Sequence, residues 1–124
     1  MSSDAFRKAV EAFDLEAAVA CLSPDVVLHS PVTFKPFEGR DAVRALFSIL
    51  FKTFEDFRYV GEFHGENGSA VLHFRTRVGD REVEGIDMIT PGDGGLIEDF
   101  TVMVRPLSAV TALRDAIGAQ LAAS

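Results

Sequence analysis

A chain of 124 residues that is 48% hydrophobic has room for a single domain, residues 1–124, around one substantial core. A net charge of −7 argues against nucleic-acid partners, which need clustered Lys and Arg, and the scattered basic residues argue against a membrane-surface anchor. No apolar run reaches the ~18 residues that span a bilayer, no signal-peptide core opens the chain, and the lone Cys21 rules out an internal disulfide, so a cytoplasmic protein is expected.

Residues 3–22 read as helix. Phe6, Ala9, Val10 and Phe13 keep helical spacing, and Leu15, Ala18, Val19 and Leu22 continue the stripe after a break at Asp14. Ser23-Pro24-Asp25 stops the helix, residues 26–30 form a short strand, and the two prolines of 31–39 make an irregular crossing. Residues 41–54 carry the strongest helical pattern, with Val43, Leu46, Phe47, Leu50, Phe51 and Phe54 on one side. Four strands follow, over 57–64, 69–78, 81–90 and 96–105, and Ser108 is placed to cap a last helix. Helices followed by an antiparallel meander predict an α+β fold.

Gly79-Asp80, with glycine first, is a two-residue hairpin turn of the II′ kind. That turn pairs Val78 with Arg81, Thr76 with Val83, Phe74 with Gly85 and Leu72 with Asp87. One face then reads Leu72, Phe74, Thr76, Val83, Gly85, Asp87, Ile89. The other sets Arg77 opposite Glu82 and Arg75 opposite Glu84. Asp87 is the exception on an apolar face. An unpaired carboxylate there costs several kcal/mol, so it requires a partner or a raised pKa.

Asp87 is therefore the first candidate for acid–base chemistry, with a buried acid satisfied by a backbone N–H, Tyr59 or His29 as the alternative. His29 and Ser30 end the first strand. With Val27 inward, His29 faces the interior; with Val26 and Leu28 inward, Ser30 does. Tyr59 is the one phenol available, and a packed ring with its tip in water is its ordinary role. Arg105 reads as a rim ion pair with Glu98 or Asp99, or as an anchor for a ligand's negative group. The dispersed histidines give no metal-ligand spacing, Pro91-Gly92-Asp93-Gly94-Gly95 is a hairpin turn and not a phosphate loop, and no nucleophile elbow occurs. No cofactor and no metal are expected.

The order of elements, together with Asp14-Leu15-Glu16, Leu22-Ser23-Pro24-Asp25-Val26-Val27, Ser30-Pro31-Val32, Glu38-Gly39-Arg40-Asp41-Ala42-Val43 and Gly85-Ile86-Asp87, resembles the nuclear transport factor 2-like superfamily, and within it the SnoaL-like and ketosteroid isomerase-like branch. The resemblance implies a conical half-barrel of strongly bent antiparallel sheet closed by three to four helices, and a homodimer formed through the outer sheet face. It places Asp87 where ketosteroid isomerases keep a protonated aspartate, Ser30 where they keep a base aspartate, and Phe6 where they keep a tyrosine. Against limonene epoxide hydrolases, His29 falls on the water-binding Asn, Val27 on the Tyr and Val102 on a catalytic carboxylate. Neither catalytic set is complete. The reading is an apolar pocket for a small hydrophobic molecule, in an isomerase, cyclase or hydrolase using Asp87 with His29 or Ser30. Phe6, Phe54, Tyr59, Leu72, Phe74, Ile89, Phe100 and Val102 would form its walls. The alternative is a non-catalytic ligand binder or a dimeric interaction module.

Overall fold

The structure, a computed structural model, describes residues 2–123. The predicted first helix is two helices, α1 (Ser2–Glu11) and α2 (Leu15–Ala20). Phe13 takes φ 53 between them. Its N–H donates to the Val10 carbonyl and that of Asp14 to the Ala9 carbonyl, the paired bonds that close a helix around a left-handed residue. Glycine suits that position, and a phenylalanine there costs about 1 kcal/mol. Asp14 restarts the chain as the α2 cap, accepting from the Ala17 N–H at 3.0 Å. Cys21 follows as the C-cap of α2.

β1 (Leu22–His29) begins at Leu22, so Ser23-Pro24-Asp25 lies inside a strand and does not serve as the helix stop. The pairing of β1 shifts register between Leu22 and Val27, a bulge in which the missing N–H of Pro24 breaks no ladder. β2 (Phe37–Glu38) is a two-residue strand within the irregular crossing. Gly39, at φ 91 and ψ 153, then turns the chain into α3 (Arg40–Thr53) through a region that only glycine enters easily. Arg40 reaches back to donate from Nε to the Leu22 carbonyl at 3.1 Å, tying the start of α3 to β1.

β3 (Glu55–His64), β4 (Ala70–Val78), β5 (Arg81–Pro91) and β6 (Ile97–Arg105) form the meander. The six strands run β2-β1-β6-β5-β4-β3. The sheet is antiparallel except where β1 lies parallel to β6. Register shifts in β3 on both sides of Tyr59, and again at the end of β5, bend the sheet into an open half-barrel. Every β4–β5 pair follows the register required by Gly79-Asp80, Leu72 opposite Asp87 included. Gly79 has φ 61 and Asp80 has no positive φ, as a II′ turn requires. Leu72, Phe74, Thr76, Val83, Asp87 and Ile89 are all buried.

α4 (Leu107–Ala123) starts one residue before Ser108, which is therefore inside the helix. Its first turn is closed by the N–H groups of Ala109 and Val110 donating to the Pro106 carbonyl. On the outer face Arg75 reaches Glu84 at 3.0 Å as the register predicts, but Arg77 turns from Glu82 to Asp56 at 2.7 Å. Arg105 pairs with Glu84 at 2.8 Å, and not with Glu98 or Asp99. Among the described residues, no helix is long and apolar enough to cross a membrane.

Candidate functional site

Between the concave sheet and the helices lies a cavity of about 60 Å³. By the same measure a water needs about 10–15 Å³, so the void holds a few water-sized bodies, well below the several hundred Å³ usual for ligand sites. Phenylalanine fills most of the space. Phe6 stacks edge-on against Phe100 at 5.3 Å, Phe47 against Phe100 at 5.7 Å, and Phe57 lies on Phe74 at 5.0 Å. Phe13 is the most exposed lining side chain, at 53%, and its ring meets Phe51 edge-on at 6.1 Å. The strained Phe13 backbone thus carries a ring to the outer end of the cavity.

Among the described residues, only Ser30, Tyr59 and Asp87 bring side-chain oxygens to this lining. The Tyr59 hydroxyl donates to Asp87 Oδ2 at 2.7 Å, and both residues are buried. They stand on β3 and β5, so the phenol reaches across β4, along a sheet bent by the register shifts beside Tyr59. Of the partners the sequence allows a buried Asp87, a backbone N–H, Tyr59 or His29, the structure supplies Tyr59, whose hydroxyl is therefore not the water-facing tip of its ordinary role. Burial in apolar surroundings pushes the Asp87 carboxyl up to about 7, against the opposing pull of the Tyr59 hydrogen bond. The same burial, with the Asp87 charge beside it, pushes the Tyr59 phenol well above its usual value. Asp87 thus crosses between donor and pure acceptor near neutrality, while Tyr59 stays protonated.

The strand parity decides between the two other candidates. Val26 and Leu28 are fully buried, which turns His29 to the opposite side of β1. There, half exposed, its Nε2 lies 3.3 Å from Asp99 Oδ1. His29 is no cavity residue, neither the proton carrier nor a partner of Asp87. Ser30 does line the cavity, just past the strand, but its Oγ accepts from the Val32 N–H at 3.2 Å. Of the expected wall residues, Phe6, Phe54, Tyr59, Phe74, Phe100 and Val102 line the void. Leu72 and Ile89 do not: both share the inner face but are closed into the core at 0% and 2% exposure. The expected wall lacked Leu113 and Ile117 of α4 and Phe47, Leu50 and Phe51 of α3. Their helical stripes are plain in the sequence, but periodicity shows only that they are buried, not that they border a void. Among the described residues, no three His, Cys, Asp or Glu side chains gather as a metal site would need.

Comparison with known proteins agrees with this fold. The family described as a SnoaL-like domain matches residues 4–105. A structure described as a steroid delta-isomerase from Pseudomonas aeruginosa is 39% identical, with a TM-score of 0.93, covering 98% of this chain and 90% of its own. An uncharacterised protein with a cystatin-like fold from Silicibacter pomeroyi is 36% identical, with a TM-score of 0.90 over 96% of this chain and 84% of its own. An NTF-2 like protein from Burkholderia xenovorans, at 16% identity and a TM-score of 0.72 over 83% of this chain and 79% of its own, shares the fold. No curated protein matches the chain.

Proposed function

Because the chain belongs to the SnoaL-like domain family, we propose that its cavity takes a compact apolar molecule bearing one carbonyl group, which Asp87 polarises by donating a proton or a hydrogen bond. The observation that carries this is the Tyr59–Asp87 pair in an otherwise apolar void. Tyr59 occupies one carboxyl oxygen, which leaves the other, protonated below about pH 7, as the donor available to a ligand. A relative described as a steroid delta-isomerase supports carbonyl chemistry in this fold. The small void argues against a steroid-sized guest unless rings such as Phe13 and Phe51 move aside.

Small cyclic ketones, each paired with the hydrocarbon of the same skeleton, test the reading by NMR titration at about pH 6 and about pH 8. The ketones should bind roughly tenfold more tightly than their hydrocarbons at the lower pH. The preference should fade at the higher pH, where ionised Asp87 can only accept. In Asp87→Asn, whose amide donates at both, it should persist. No ketone preference at either pH sinks the proposal.

A second reading, binding without turnover, is favoured by the lining: among the described residues no second carboxylate or histidine borders the void, and Ser30, whose Oγ accepts from the Val32 N–H, brings a neutral hydroxyl and no base. Deuterium uptake at the α-carbon of a bound ketone in D₂O separates the two readings. Protein-dependent uptake that disappears in Asp87→Asn marks proton transfer, and its absence marks a binder.

We also propose that the outer sheet face joins two copies of the chain. Phe63, Met88 and Met103 are 62%, 37% and 51% exposed there, beside hollows of about 290 and 250 Å³. Sedimentation should show a dimer that Met103→Glu dissociates; a monomer at all concentrations overturns this.

A further inference from the structure

Tyr59 has a second neighbour outside the cavity. The Arg7 guanidinium of α1 sits over the Tyr59 ring, its central carbon 5.8 Å from the ring centroid. Two carboxylates hold it there: Glu62 of β3 at 3.1 Å and Glu11, one turn along α1, at 3.5 Å. The line therefore runs from two partly exposed acids, through a cation over an aromatic face, to a phenol that donates to a buried acid.

We propose that Arg7 is a positioning residue for Asp87: clamped by Glu62 and Glu11, its guanidinium fixes and polarises the Tyr59 phenol that donates into the cavity's acid. This rests on the reading of Asp87 as the cavity's reactive group. A cation over the ring draws electron density from the hydroxyl and strengthens it as a donor, and a stronger donor favours the ionised carboxylate. The local surroundings leave this route open. Asp87 stands opposite Leu72 and Val102 on the adjoining strands, and the rest of the cavity lining, Leu113 and Ile117 of α4 included, carries no charge, Ser30 bringing only a neutral hydroxyl. The charges acting on Tyr59 are Asp87 itself, Arg7, which makes its proton easier to lose, and Glu11, which makes it harder; Glu62 acts by holding Arg7.

The test is the titration of the Asp87 carboxyl carbon by NMR in the free protein, compared across variants. Arg7→Met, which removes the cation over the ring and leaves Glu11 behind it while Glu62 keeps His64 at 2.7 Å, should move the Asp87 midpoint up by roughly half a pH unit. Arg7→Lys, keeping the cation, should restore most of the difference. Glu11→Gln should move the midpoint the other way, a sign that mere loosening of α1 would not produce. In a Tyr59→Phe background, Arg7→Met should move nothing further, because the hydroxyl that relays the effect is gone. An unmoved midpoint in a folded Arg7→Met protein overturns the proposal, as does an equal movement without the hydroxyl. Should Arg7→Met fail to fold, Glu11→Gln decides alone, and an unchanged or raised midpoint overturns it. A natural protein that titrates near the ordinary carboxyl value of about 4 removes the reading of Asp87 itself, a different failure.

Discussion

Asp87→Asn should be more stable than the natural protein by up to about 4 kcal/mol at about pH 8 and level with it near about pH 4. In the unfolded chain this carboxyl ionises at the ordinary value of 3.8; in the fold it ionises at about 7, because burial disfavours the charge more than the Tyr59 hydrogen bond favours it. Between those values the folded state holds a proton that the unfolded state has released. Stability contributed by this group is therefore complete below about 4 and lost as the pH rises through about 7. The asparagine amide keeps an oxygen for the Tyr59 hydroxyl at 2.7 Å and has no charge to bury, so it omits the loss. Urea unfolding across the pH range checks this through the difference between the two proteins, which cancels the other titrating groups. Two curves that stay parallel would show Asp87 titrating alike in both states and would remove its candidacy as a tuned acid.

That Asp87 is buried could be read from the sequence because one turn governs it. Gly79-Asp80 sets the hairpin register, the pleat alternates faces, and each pair along β4 and β5 follows. The motif around Gly39-Arg40 was legible as a resemblance; the coordinates add its reasons, a backbone angle reserved for glycine and a guanidinium fastened to the Leu22 carbonyl. What was not legible depended on distances between separate elements. The choice between His29 and Ser30 turned on one residue of strand parity, and both parities satisfied the local pattern. Tyr59 stood among the possible partners of Asp87, but the choice of it over a water-facing tip could not be made, because nothing local records that β3 bends toward β5. Pro24 read as a helix stop because a bulge that accommodates it becomes visible only once β6 lies alongside. The void is the extreme case: apolar periodicity is the same for rings that touch and for rings that leave a gap between them.

Gly85→Ala should destabilise the protein by about 3 kcal/mol and lower its melting temperature by about 10 °C. The backbone angle is not the reason, since Gly85 is absent from the glycines with positive φ. Space is the reason. A methyl carbon at Gly85 would stand 2.4 Å from Cζ of Phe74, its cross-strand partner, and 2.6 Å from the Met103 carbonyl oxygen. The carbonyl belongs to the β5–β6 ladder and cannot withdraw without loosening it. The Phe74 ring, 1% exposed and stacked on Phe57 at 5.0 Å, can yield only toward the cavity. The substitution should therefore cost ketone preference as well as stability, because the ring it displaces packs edge-on against Tyr59 at 6.5 Å. Gly118→Ala in α4, where an added methyl meets nothing within 4 Å, is the control, and should stabilise by up to about 1 kcal/mol. A Gly85→Ala protein that melts within about 2 °C of the natural one would show that the Phe74 layer yields freely. The cavity wall would then not be the rigid support that a fixed Tyr59–Asp87 pair requires.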